Sequence, residues 1–146
     1  MKKVLVVGTD NSCHSQMMCA LIKHISFNRI TVESAGIKPK KLNPDAVKTL
    51  LEIGVDISKE KPKSINEFIH TKFDIIITTT TEAREKVNSL LTSTTKIHKD
   101  FDDPRKIRKG SYEKENAFRT LRDEMSEWLN EFIAALIDEF CSASLV

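Results

Sequence analysis

The short runs Val4-Leu5-Val6-Val7 and Ile75-Ile76-Ile77 are apolar at every position. A strand with one wet face alternates apolar and polar residues. Runs without alternation instead predict strands buried on both faces, the pattern of a parallel sheet covered by helices. Helical spacing follows each run, over residues 15–25 and 82–91, with Thr79 and Glu82 spaced as a capping box for the second. Further strand patterns span 30–33, ended by Ser34-Ala35-Gly36, and 96–98; the strands around the two apolar runs span 3–7 and 73–78. Asn43-Pro44-Asp45 opens another helix, with a capping side chain, Pro at the first position and an acid in the first turn; this helix stops at Gly54. Residues 101–109 read as a polar loop. A last long helix, 113–140, carries Phe118, Leu121, Met125, Trp128, Leu129, Phe132, Ile133, Leu136, Ile137 and Phe140 as one apolar stripe. Strands alternating with helices predict an α/β fold: a single domain over residues 1–146, with a four-stranded parallel sheet and helices on both faces.

Composition narrows the class. With 146 residues, 40% hydrophobic and 30% charged, the chain has the size and balance of one globular domain. No apolar run is long enough to span a bilayer, so no membrane association is expected. Met1-Lys2-Lys3 leads into a strand pattern and not into the long apolar region of a secretory signal, so a cytoplasmic location is expected. Three cysteines argue against a disulfide scaffold. Cys13 and Cys19 lie on different faces of one helix, roughly 9 Å apart along its axis, which is too far to bridge. Cys141 belongs to the C-terminal tail. No Cys/His spacing matches a zinc site, and no metal or cofactor is expected.

The net charge of +2 is unevenly spread: residues 1–111 carry 20 Lys and Arg against 13 Asp and Glu, whereas 112–146 carry 3 against 8. The basic clusters at 38–41, 59–63 and 105–109 read as solvated loops or as a surface that attracts an anionic partner. Aromatic residues do not interleave them, so nucleic acid is not an expected partner.

The loop after the first strand reads Gly8-Thr9-Asp10-Asn11-Ser12-Cys13-His14-Ser15-Gln16. A strand that passes through a short polar turn into a helix aims backbone N–H groups and a helix N-terminus at one point, which suits phosphate, sulfate or arsenate. In a doubly wound sheet ligands sit beyond the carboxyl ends of the strands, so Thr9 to Ser15 are the candidate anion-binding loop. Phosphoryl transfer on such a cradle also needs a nucleophile at the entrance and a fixed cation at the end. Those places hold Gly8 and His14.

Other segments share this pattern. Glu33-Ser34-Ala35-Gly36, Gly54-Val55-Asp56-Ile57-Ser58, Phe101-Asp102-Asp103-Pro104, and Phe118-Arg119 with Arg122-Asp123-Glu124 resemble, in order and in register with the loop, segments of the low-molecular-weight protein tyrosine phosphatases. The chain is most similar to their thioredoxin-coupled arsenate reductase branch. The family loop is C-x5-R-S, commonly C-T-G-N-S-C-R-S-Q-M, and the resemblance covers essentially the whole chain. It implies a chemistry in which a Cys thiolate attacks phosphate or arsenate, a loop Arg clamps the oxyanion, and an Asp before Pro protonates the leaving oxygen.

Carried over residue by residue, the resemblance puts Gly8 at the nucleophile position and His14 at the arginine position. Asp10 stands at a glycine position, where a carboxylate opposes an oxyanion. Asp103, before Pro104, stands at the general-acid position. Thr80 stands at the first further cysteine of the reductases, and no cysteine follows it through Leu91. Some reductases also hold a monovalent cation; Asn11 and Ser34 match that site, whereas Lys61 and Lys63 stand at two of its ligand positions.

Loss of a covalent nucleophile costs about 10⁶ in turnover where it has been measured in a hydrolase. Loss of a transition-state arginine costs roughly 10³–10⁵. The expected function is therefore a phosphatase- or arsenate reductase-like protein with a degenerate loop, catalytically impaired, acting as an anion- or protein-binding module with Asp103 as a vestigial acid. The alternative is an active phosphatase or arsenate reductase using a non-standard residue such as Cys13. Counting C-x5-R from Cys13 lands on Cys19, so no clamp follows it. His14 as a general base is a further version of that alternative. A protein partner could dock on the basic clusters or on the acidic last helix.

Overall fold

The computed structural model describes residues 2–91, 95–108 and 110–144, with side chains described through residue 138. Four strands, β1 (Lys3–Gly8), β2 (Thr31–Gly36), β3 (Ile75–Thr78) and β4 (Thr95–His98), form one sheet in the order β2-β1-β3-β4. Every pair is parallel, with Val4 opposite both Val32 and Ile75 and Thr78 opposite His98. Between the strands run α1 (His14–Ile25), α2 (Pro44–Leu51) and α3 (Thr81–Leu90), and α4 (Ser111–Ser144) closes the chain.

Alternation of side chains along β1 builds two cores. Val4 and Val6 point to one face, where Met17, Met18, Leu21 and Ile22 of α1, Leu50 of α2 and the α4 stripe from Phe118 to Leu136 pack. Leu5 and Val7 point to the other, where Ile76, Phe73, Ile65 and the α3 residues Ala83 and Val87 pack. Helices therefore cover both faces, as the unbroken apolar strands require. Within the α4 stripe Trp128 and Phe132 stack, with ring centroids 5.3 Å apart. The side chain of Phe140 lies outside the described residues, and Cys141 falls on the α4 backbone, not in a separate tail.

Several boundaries differ from the expectations. β2 does not stop before Ser34-Ala35-Gly36 but runs through Gly36, because Ala35 is itself a core residue and Ser34 is buried. The cap of α3 is Thr80, not Thr79: the Thr80 hydroxyl accepts from the Ala83 amide at 3.1 Å, while Thr79 turns inward and donates to Val7 O at 3.4 Å. A 3-10 turn at Ile65–Phe68, closed by a Ser64/Glu67 capping box, has too few residues to show a periodicity. A second one, Pro104–Lys106, lies inside the expected polar loop and is capped by Asp103. α2 follows the expectation at its start, where Asn43 accepts from the amides of Asp45 and Ala46 at 2.9 and 3.1 Å. It ends three residues before Gly54, which has a φ of +81° and turns the chain away. Among the described residues no helix is long and apolar enough to cross a membrane.

Candidate functional site

The carboxyl ends of β1, β3 and β4 open on the same edge of the sheet, where a cavity of about 710 Å³ separates the β1–α1 loop from the loop that follows β4. The β1–α1 loop owes its shape to the main chain. The carbonyls of Gly8, Thr9, Asp10 and Ser12 accept from the amides of Ile37, Lys38, Lys40 and Asn43 at 3.3, 2.8, 2.9 and 2.9 Å. With every peptide of this loop trans, this turns the N–H groups of Thr9, Asp10, Asn11 and Cys13 to the opposite side of the loop. Gly36 makes the close approach possible, since a Cβ there would lie 2.8 Å from the backbone of Asp10 and Asn11.

Asn11 fixes the middle of the turn. Its φ of +53° is left-handed, which Asn tolerates better than most residues. Its buried amide donates to Ser15 Oγ at 2.9 Å, and its oxygen accepts from the Lys63 amide at 2.8 Å and from Gln16 Nε2 at 3.1 Å. Two N–H donors thus fill the oxygen that a monovalent cation would need, and the Lys63 ammonium pairs with Glu33 at 2.8 Å. The residues there do not fit a bound cation. Among the described residues no cluster of His, Cys, Asp and Glu is placed to hold a metal.

The cavity brings together Gly8, Thr9, Asp10, His14 and Ser15 from the first loop, Thr79 and Thr80 from the end of β3, and Asp103 from the loop after β4. Gly8 faces two hydroxyls: a Cβ on it would stand 3.1 Å from both Ser15 Oγ and Thr79 Oγ1. Thr80 accepts from the Thr9 hydroxyl at 3.0 Å, which joins the first loop to α3. His14 opens α1 and is nearly buried; its Nε2 lies 3.1 Å from Asp102 O. A carbonyl can only accept, so this nitrogen carries the proton.

Cys13 does not join the cavity lining. It is fully buried in the core with its Sγ 4.0 Å from Met17 Sδ, and burial pushes its thiol up to about 12. Cys19 is buried as well, and desolvation pushes it to about 11. Neither is a thiolate near neutral pH.

Sequence reasoning missed Arg105. It stands in the basic stretch 105–109, whose Lys109 lies outside the described residues, and it is neither a solvated loop residue nor a free cation. Its Nη1 donates to Asp10 Oδ2 at 2.7 Å and to Ser12 Oγ at 3.0 Å, and its Nη2 donates to Asp103 Oδ2 at 3.0 Å. The available signal was Asp103-Pro104-Arg105 itself, since Asp before Pro favours a turn in which the carboxylate accepts from the backbone N–H two residues on, as it does here from the Arg105 amide at 2.9 Å. Burial works to raise the carboxyls of Asp10 and Asp103, but hydrogen bonds from Ser12 and Arg105 to the first, and from Arg105 to the second, outweigh it and hold both below the usual carboxylate range. The Asp10 carboxylate is therefore not the isolated negative charge that the sequence suggests. The cavity remains acidic, however: among its described lining residues Asp10, Glu82, Asp100, Asp102 and Asp103 face only Arg105 and Lys106 as fixed cations.

A doubly wound sheet with an anion-type loop after its first strand, and an Asp-Pro turn opposite it, defines an α/β protein whose candidate ligand site lies at the carboxyl edge of the sheet. The chain belongs to the low molecular weight phosphotyrosine protein phosphatase family, whose sequence profile matches residues 3–141. Arsenate reductases of Halalkalibacterium halodurans and Bacillus subtilis are each 34% identical to it over 131 residues, covering 90% of this chain and 94% of theirs. A solved arsenate reductase in the phosphate binding state is 27% identical, covers 92% of this chain and 98% of its own, and superposes with a TM-score of 0.70.

Proposed function

We propose that this chain is a catalytically impaired member of its family, acting in the cytoplasm as an anion- or protein-binding module. The observation that carries this reading is that no cysteine lines the cavity among the described residues. The place of an attacking thiolate is the bare backbone of Gly8, and Thr80 is engaged in capping α3. Two further features support it. His14 has no guanidinium fork, and its Nε2 bond to Asp102 O ties it to the opposite loop, not to the centre of the cradle. Asp103 is held ionised by Arg105, whereas a general acid must carry a proton. Binding of phosphate, sulfate or arsenate is supported by the loop geometry and by the phosphate-binding state of the similar arsenate reductase. Docking of a protein is supported by the separation of charge between the basic loops and α4.

The decisive experiment assays the purified chain for aryl phosphate hydrolysis and for thiol-coupled arsenate reduction beside an active relative. Turnover at least 10³-fold lower is expected, from the cost of losing either group. Turnover within tenfold of the relative sinks the proposal.

The second reading, an active phosphatase or arsenate reductase, is favoured by the full-length similarity to arsenate reductases and by Asp103-Pro104 facing the loop. It requires Cys13 to leave the core and ionise against the burial that raises its thiol. Loss of a measurable activity in Cys13→Ser supports it, and survival of that activity removes it.

A further inference from the structure

We propose that Asp10 is an internal ligand of the cradle: its carboxylate occupies Ser12 and Arg105 in place of an external oxyanion and holds the loop in a self-liganded state that weakens anion binding. The proposal rests on the anion-binding part of the function proposed above. The two carboxylate oxygens divide the work. Oδ1 accepts from the backbone N–H of Ser12 at 3.1 Å and from its hydroxyl at 2.7 Å. Oδ2 accepts from Arg105 Nη1 at 2.7 Å, and the same Nη1 donates to Ser12 Oγ at 3.0 Å. A loop amide, a hydroxyl and a guanidinium converging on one small volume are the donors that a tetrahedral oxyanion recruits. Here the chain supplies its own anion to them.

The contact with Ser12 alone is an ordinary turn device, in which an Asp accepts from a backbone N–H two residues on. Arg105 makes it more than that. It lies 95 residues away in the chain, its side chain and that of Asp10 are only 29% and 15% exposed, and its Nε and Nη2 both donate to Asp103, at 3.0 Å each. The guanidinium therefore sits between two carboxylates. An arriving oxyanion meets a cluster of net negative charge until Asp10 is removed or neutralised. Arg105 Nη1 is the group released when that happens, while Nε and Nη2 stay on Asp103, and it then becomes the anion's donor in place of the missing loop arginine.

Asp10→Asn keeps the local turn and removes the charge, so it isolates the proposal. Inorganic phosphate and sulfate are titrated calorimetrically into the full chain, into Asp10→Asn, into Arg105→Ala and into the double variant, with circular dichroism to verify each fold. Asp10→Ser serves as a second carboxylate-free variant. The expected result is at least tenfold tighter binding in the carboxylate-free variants, and loss of that gain when Arg105 is also removed. Folded variants that bind no better than the parent overturn the proposal, as does a gain that survives Arg105→Ala. Turnover is not read in this experiment. Its failure therefore leaves the impaired-enzyme reading standing, and an active parent chain in the assays above leaves this comparison intact.

Discussion

Across the cavity, the loop at residues 8–15 and the loop at 99–107 are held by different kinds of contact. The first is fixed by four main-chain hydrogen bonds to residues 37–43 and by the buried Asn11 amide. The second reaches the first through side chains, Arg105 onto Asp10 and Ser12 and the His14 imidazole onto Asp102. A backbone brace is indifferent to salt and acid, whereas an ion-paired strap responds to both. The cradle is thus a permanent part of the fold, and the wall facing it is conditional.

The sharpest way to break this contrast is Asn11→Ala. It strips partners from the Lys63 amide, Ser15 and Gln16 and leaves Ala at a φ of +53°, so global stability in denaturant falls by about 2–4 kcal/mol. A loss under 0.5 kcal/mol, well below that range, would mean the loop is not braced as described. Arg105→Ala is expected to cost less, about 1–2 kcal/mol, and to act locally. Hydrogen exchange should quicken at 99–107 while α1 and β1 stay protected, and equal acceleration in both loops contradicts the contrast. The smallest effect concerns acid. Asp10 and Asp103 have folded values below the unfolded one, so the native state binds fewer protons and stability rises with pH through the window. Their contribution is present above about pH 4 and is lost as pH falls through the depressed folded values. Unfolding free energy followed from pH 5 downwards should drop more steeply in the parent chain than in Arg105→Ala; parallel curves would show that the strap does not couple to these carboxyls. Glu52, held to about 2 by Arg119, is present in both chains and cancels.

The fold was largely legible because its strands announce themselves. Val4–Val7 and the isoleucines of β3 read as doubly buried and are so, and the α4 stripe gives its own packing face. Alternating strands and helices then force a parallel order and bring Gly8, His14, Thr80 and Asp103 to one edge. What escaped the sequence was set by distance or by a single residue. The Arg105–Asp10 pair joins two loops with no periodicity to report it. The α3 cap lies one position beyond the expected Thr79, in a run of four threonines whose spacing alone does not choose among them. The burial of Cys13 follows from its facing the core at the entry to α1, on the side where Met17 lies one turn further along.

The brace supplied by residues 37–43 also bears on how such a chain changes over generations. The curvature of the cradle is written in main-chain bonds, so most side-chain exchanges within it leave the shape unaltered. Drift at Asp10 or His14 then loosens the strap to the opposite loop without reshaping the cradle, and even at Gly8 a new side chain presses first on the two hydroxyls of Ser15 and Thr79. Gly36 is the exception: any other residue there strikes backbone, and the shape itself is at stake. A scaffold divided in this way can lose a chemistry, keep the fold, and remain a short mutational walk from acquiring another.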